Sequence, residues 1–242
     1  RDSEKSKKAY EEIKSISKSQ CVSIFYADLA SFESIKKVAN EIKLKFGTID
    51  ILINNAGIFT RKNRTTEDGF ELTFGVNYLA TFLLTNLLLP TINKEGGRII
   101  NLSSELYKKG KIDKEKLSTT EKFDGQQAYA NSKLLVNYFT SELAEKLSDK
   151  NISVNCVHPG VVGTDVFREY PKWFNSILNL FISKPKDGAK PVIELATMPE
   201  NKNVSGKYFY KTKEKPTGEV ANDKSLSKHI WETSMKLTKL VD

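Results

Sequence analysis

Cysteine is scarce: the 242 residues hold two, Cys21 and Cys156. Both stand beside apolar residues of expected strands, so they read as buried free thiols, and a disulfide framework is excluded. Long hydrophobic runs are missing too. No uninterrupted apolar stretch approaches the roughly 20 residues that a membrane-spanning helix needs, and no secretory signal pattern is visible. There is no internal repeat and no low-complexity linker, so one domain over residues 1–242 is expected, with no metal site.

What is present describes an ordinary soluble protein, 39% hydrophobic and 28% charged, of a length that fits one α/β domain with an ample core. The net charge of +8 raises nucleic acid or an anionic membrane surface as partners. The lysines sit beside glutamates on expected helices, as in Lys36 and Lys37 to Glu41 and Glu142 to Lys146. They therefore read as solvated faces. No nucleic-acid motif accompanies them, and no nucleic-acid partner is expected. The sequons at Asn63, Asn101, Asn151 and Asn203 read as incidental, Asn101 lying in a core strand where a glycan has no room.

Periodicity places a charged helix over Glu4–Ser17 with Ala9, Ile13 and Ile16 inward. A strand follows over Cys21–Tyr26, then a helix over Phe32–Phe46 capped by Ser31, with Ile35, Val38, Ile42 and Phe46 as its apolar stripe. Further strands are expected at 49–54, 98–104, 152–157 and 207–210. Helices are expected at about 66–89, 126–147, 187–195 and 225–240, with Ile230, Trp231 and Leu237 inward in the last. Residues 105–127 form a polar, Lys-rich insertion that reads as a loop on the substrate side.

The helix over 126–147 carries Tyr129 and Lys133, four positions apart and so on one face. A phenol titrates near 10 and exchanges protons poorly at neutral pH; a neighbouring ammonium favours the phenolate. The pair is thus an acid–base device for a proton on oxygen, although taken alone it equally describes a solvated helix face. Three other stretches accompany it. Asn54-Asn55-Ala56-Gly57 ends a strand in small residues, Ser103 and Ser104 end a second, and Pro159-Gly160 with Thr164 follow a third.

In this order and spacing, N-N-A-G, S-S, Y-x-x-x-K and P-G-x-x-x-T resemble the short-chain dehydrogenase/reductase family over nearly the whole chain. The segments 66–71, 74–77, 82–89 and 205–209, with the long interval from Ser104 to Tyr129, resemble its retinol dehydrogenase-like branch. The resemblance implies an α/β, Rossmann-like doubly wound parallel sheet in three α/β/α layers. It implies hydride transfer between NADP(H) and a lipophilic alcohol or carbonyl such as retinol or retinal, with steroids or other aldehydes and ketones as alternative substrates. Tyr129 would give or take the substrate proton, Lys133 would lower its pKa and hold the nicotinamide ribose, and Ser104 would orient the substrate oxygen. Asn77 would hold a water that links the lysine to solvent. Asp28 and Leu29 would meet the adenine, although Asp28 also reads as a simple strand end. Asn55, Ala56 and Gly57 would meet the adenosine side, while Asn54 ties strands together. Pro159, Gly160, Val162 and Thr164 would line the nicotinamide. His158 would serve backbone geometry.

The family's glycine fingerprint, T-G-x-x-x-G-x-G, does not occur in the sequence. Arg1 resembles the point just after the family's second strand, so the chain is expected to lack the first strand–helix–strand piece. That missing strand is central to the sheet, and without it Cys21–Tyr26 is separated from the strand at 49–54. NADP is expected over NAD on the strength of Arg1, whose cation would meet a 2′-phosphate, with NAD as the alternative. A non-catalytic remnant that binds a partner is the rival expectation. The apolar stretch 169–182 suits either a lid for a lipophilic substrate with membrane-surface contact or core packing. A homodimer, and a place in the cytoplasm or peripherally on an intracellular membrane, complete the expectations.

Overall fold

The computed structural model describes residues 3–117, 123–160 and 185–240. Six helices lie among them: α1 (Ser3–Ser17), α2 (Phe32–Lys45), α3 (Leu72–Thr91), α4 (Gly125–Lys146), α5 (Pro185–Thr197) and α6 (Lys224–Leu237). The strands are β1 (Ile51–Asn54), β2 (Gly97–Leu102), β3 (Ile152–His158), β4 (Tyr208–Tyr210) and β5 (Lys213–Lys215). Caps fix the helix starts. Ser31 accepts from the Ser34 N–H, Asp124 from the Gln126 and Gln127 N–H groups, and Asp223 from Leu226.

The sheet runs β1-β2-β3-β4-β5, parallel through β4 and antiparallel at β5. Ile99 faces Leu52 on one side and Val154 on the other, while Cys156 faces Tyr208. Every residue of β2 and β3 is buried, as a parallel sheet covered on both faces requires. Alternation divides the core. Ile99, Val154 and Cys156 pack under α2, α3, α4 and α6, whereas Ile100, Leu102 and Val157 pack under α5. The result is the doubly wound α/β sheet in three layers that the sequence implies.

Helix α3 is the spine of the larger core. It is long and apolar enough to cross a membrane, but 78% of its apolar window is buried inside the protein. Tyr78, Phe82, Phe139 and Trp231 form a continuous aromatic run from α3 through α4 to α6. The Tyr78 and Ser234 hydroxyls, both buried, share a 2.6 Å hydrogen bond that ties α6 to α3. Within α3 the Gly75–Leu79 stretch widens into a π turn. A Cβ at Gly75 would collide with the Thr66 methyl, so only glycine lets α3 lie this close to the preceding turn.

Four expectations do not hold. Cys21–Tyr26 is not a strand, because no described strand lies beside it to accept its ladder. Cys21 is accordingly exposed, not a buried thiol; Cys156 is buried as expected. The α1 stripe faces solvent, with Ile13 54% and Ile16 75% exposed, since periodicity makes a helix amphipathic without supplying a surface to cover it. The same limit appears at the end of α2, where Ile35 and Val38 are buried but Phe46 is exposed.

Candidate active site

The C-terminal ends of β1, β2 and β3 open toward the first turns of α4, where an open parallel sheet binds its ligands. Strand β2 ends at Leu102, and Ser103 and Ser104 follow. Both are buried. Ser104 caps the 3-10 turn Glu105–Lys109, its Oγ accepting from the Leu106 N–H at 3.3 Å. The Tyr129 hydroxyl, from α4, lies beside Ser104, close enough for the serine to favour its ionised form. One turn further, Lys133 is buried, its Nζ donating to the Leu102 carbonyl at 2.8 Å and lying 5.6 Å from the Tyr129 ring centroid. Two hydroxyls and one ammonium thus share one slot at the end of β2.

The Asn55–Gly57 turn closes the other wall. A Cβ on Gly57 would sit 3.4 Å from Lys133 Nζ and 3.6 Å from Asn77 Oδ1, so the three groups converge. Asn77 stands in the π turn, which aims its side chain inward, as π turns at functional sites do. Its side-chain amide is engaged by protein groups. Oδ1 accepts from the Ile58 N–H at 2.7 Å, and Nδ2 donates to the Ile58 carbonyl at 2.9 Å and to Ser132 Oγ at 3.1 Å. Both amide hydrogens are therefore committed, and the side chain clamps the backbone just after Gly57. Asn54 ties elements together as expected. It donates to Asn101 and Thr85, and Asn101 donates to Thr140, which links β1, β2, α3 and α4 through buried polar groups.

Electrostatics at the pair run against the sequence expectation. Burial raises the Tyr129 phenol to about 12, and the neighbouring Ser104 hydroxyl only moderates that rise. Burial lowers Lys133 to about 8. The ammonium is engaged by a carbonyl, not by the phenolic oxygen, so desolvation governs and Tyr129 stays protonated at neutral pH. His158 is driven down to about 4, chiefly by burial, with Glu105 opposing. It is neutral at physiological pH and packs on the Tyr210 ring at 5.4 Å.

The remaining candidates are more peripheral. Asp28 accepts from the Ala30 N–H at 2.9 Å and begins the turn into α2, beside Leu29, which packs on the core. Asn55 and Ala56 are exposed. Pro159 is half-buried, and Gly160 is buried with φ +95, a conformation that favours glycine, against Lys211. Arg1, Val162 and Thr164 lie outside the described residues, as does the apolar stretch 169–182. Phe59 was not legible in the sequence: its buried ring meets Tyr129 edge-on at 5.9 Å and packs that ring in place. An apolar residue two positions after Gly57 carries no signal of its own.

The nicotinamide end of a dinucleotide fits these residues. Gly57 leaves the space beside Lys133 free of a side chain, and buried Ser103 Oγ has no hydrogen-bond partner. The family model for short chain dehydrogenases matches residues 1–175. Human retinol dehydrogenase 13 is 39% identical over 250 residues, covering 99% of this chain and 76% of its own length. Human retinol dehydrogenase 14 is 41% identical over 214 residues, covering 86% of this chain and 64% of its own length. Human polyprenol dehydrogenase is 34% identical over 250 residues, covering 98% and 76%. Among solved structures, an uncharacterized protein from Mycobacterium paratuberculosis superposes with a TM-score of 0.77 at 27% identity over 99% of this chain and 82% of the other. A short chain dehydrogenase from Burkholderia cenocepacia J2315 in complex with NADP gives 0.67 at 26% identity over 86% and 81%. The chain belongs to the short-chain dehydrogenase/reductase family, whose members are NAD(P)-dependent oxidoreductases. Within that family it is retinol dehydrogenase-like.

Proposed function

We propose that this protein reduces a lipophilic carbonyl to an alcohol with NADPH, retinal being the leading substrate. The observation that carries this reading is the meeting of Tyr129, Ser104 and Lys133 at the end of β2. Ser104 donates a hydrogen bond to the substrate oxygen and orients it. Tyr129, protonated at neutral pH because burial raises it, gives that oxygen its proton. A protonated phenol favours the reductive direction, since oxidation needs the phenolate as base. Lys133 holds the nicotinamide ribose and stabilises the charge left on the phenol. Asn77, through Ile58, fixes the turn that keeps Gly57 open against Lys133. When bound, NADP(H) supplies or accepts the hydride.

Asp28, Leu29, Asn55 and Ala56 serve the adenosine end, and Pro159, Gly160, Val162 and Thr164 the nicotinamide. The NADP choice is supported by Arg1 and by the NADP complex of the Burkholderia relative. Polyprenol dehydrogenase among the relatives favours a second reading of the substrate, a longer isoprenoid alcohol or aldehyde. Retinol and polyprenols share an isoprenoid chain ending in an allylic alcohol, and one pocket chemistry serves both. A cytoplasmic or peripheral membrane location suits such a substrate.

The full-length protein, given NADPH or NADH with all-trans-retinal or a short polyprenal, tests the proposal. Oxidation of NADPH by an aldehyde, with kcat/KM at least about ten-fold above that with NADH, is expected, a difference of about 1.4 kcal/mol. No turnover of either aldehyde with either cofactor would overturn it.

A further inference from the structure

The residue after Ser104 is tied to β4, the strand next to the edge of the sheet. Glu105 opens the 3-10 turn that Ser104 caps, and its Oε1 accepts a 2.7 Å hydrogen bond from the Tyr208 hydroxyl of β4. Its Oε2 is bonded to Lys108 Nζ at 2.9 Å. Tyr107 of the same turn is wholly buried, meets the Tyr208 ring edge-on at 5.0 Å, and donates to the Thr217 carbonyl at 3.1 Å just beyond β5. The turn that Ser104 caps is therefore held by two links to β4 and one to Thr217, just beyond the C-terminal hairpin.

We propose that Glu105 and Tyr208 are positioning residues for Ser104, so that the β4–β5 hairpin sets where the serine hydroxyl points. This rests on the proposed role of Ser104. The reasoning is geometric. Ser104 Oγ has a lone pair engaged by the Leu106 N–H, so its O–H is free to point away from the turn, into the slot shared with Tyr129. The direction of that O–H depends on the orientation of the turn. A turn of 5 residues has little stiffness of its own, and the Tyr208–Glu105 bond fixes its first residue beside Ser104. Tyr208 is 1% exposed, so the donor end of the bond is held in the core while the Glu105 carboxylate reaches it from the half-buried turn. Burial works to raise the Glu105 carboxyl, but the bonds from Lys108 and Tyr208 outweigh it and hold the group below its usual range, so the acceptor is a carboxylate at neutral pH.

The test uses full-length protein, NADPH and all-trans-retinal, with Tyr208→Phe, Glu105→Ala and Glu105→Gln made in wild-type and Ser104→Ala backgrounds. Tyr208→Phe and Glu105→Ala are each expected to lower kcat roughly ten-fold, with NADPH affinity unchanged, and the double variant to lose little more, as partners in one bond do. Glu105→Gln keeps an oxygen acceptor and should restore most of the rate, which separates positioning from misfolding. In the Ser104→Ala background none of these changes should matter further. The same ten-fold loss in that background, or full kcat in Tyr208→Phe, would overturn the proposal. If Ser104→Ala itself turns over like wild type, the role of Ser104 fails and the positioning role falls with it, a result distinguishable from a hairpin that does not matter.

Discussion

Tyr129 shows how far residue types alone carry the chemistry. The spacing to Lys133 and the serine pair at the end of a strand were legible, because helix periodicity and strand ends follow from local sequence. The direction of the Tyr129 shift was not legible, because it depends on how much of the ring the fold buries and on where the ammonium points. The consequence can be measured. Lys133, lowered to about 8 by burial, loses its charge as pH rises through that value, while Tyr129 remains protonated to about 12. Carbonyl reduction should therefore fall on an alkaline limb near pH 8 in kcat, and no limb should occur near 6.5, since His158 titrates near 4. A flat profile from pH 7 to 10 would contradict the assignment to Lys133.

At the scale of elements, caps and alternation were readable while partners were not. Ser31 and β2 lie where polarity and apolar runs put them. Cys21–Tyr26 has the composition of a strand and, among the described residues, no neighbouring strand, so its pattern had nothing to act on. The π turn in α3 was invisible because it arises from packing around Gly75 and Asn77, not from propensity. The antiparallel β5 was likewise missed: Lys213–Lys215 is a charged, exposed edge strand with no apolar alternation to announce it. Gly75→Ala should destabilise the protein by about 1–3 kcal/mol in urea titration, and Thr66→Ser, which removes the opposing methyl but keeps the hydroxyl, should recover most of it. At the inter-element polar chain, Asn101→Ala leaves Asn54 and Thr140 short of a buried partner, and a loss of about 2–4 kcal/mol is expected by the same measurement.

For the molecule as a whole, the motif order specified the parallel sheet and its flanking helices, because N-N-A-G, S-S and P-G mark the ends of successive strands and Y-x-x-x-K lies on the helix between the last two. The buried lysine that the site needs carries a stability cost with a definite pH dependence. The unfolded chain binds a proton at Lys133 up to its ordinary value of 10.5, and the folded protein releases it near 8. The unfolded state therefore holds more protons between those values, and stability contributed at Lys133 rises with pH there. Without cofactor, wild type should gain stability relative to Lys133→Met as pH increases from 8 to 10 in thermal melts; a constant difference between the two would contradict the buried, destabilised ammonium.

The claim on which all of this turns is that the Tyr129 phenol supplies the proton to a substrate oxygen held by Ser104. Single-turnover oxidation of bound NADPH by a carbonyl that the full-length wild type reduces should be slowed by Tyr129→Phe by about two to four orders of magnitude, with NADPH binding nearly unchanged. A Tyr129→Phe protein that transfers hydride within a few-fold of the wild-type rate would contradict it.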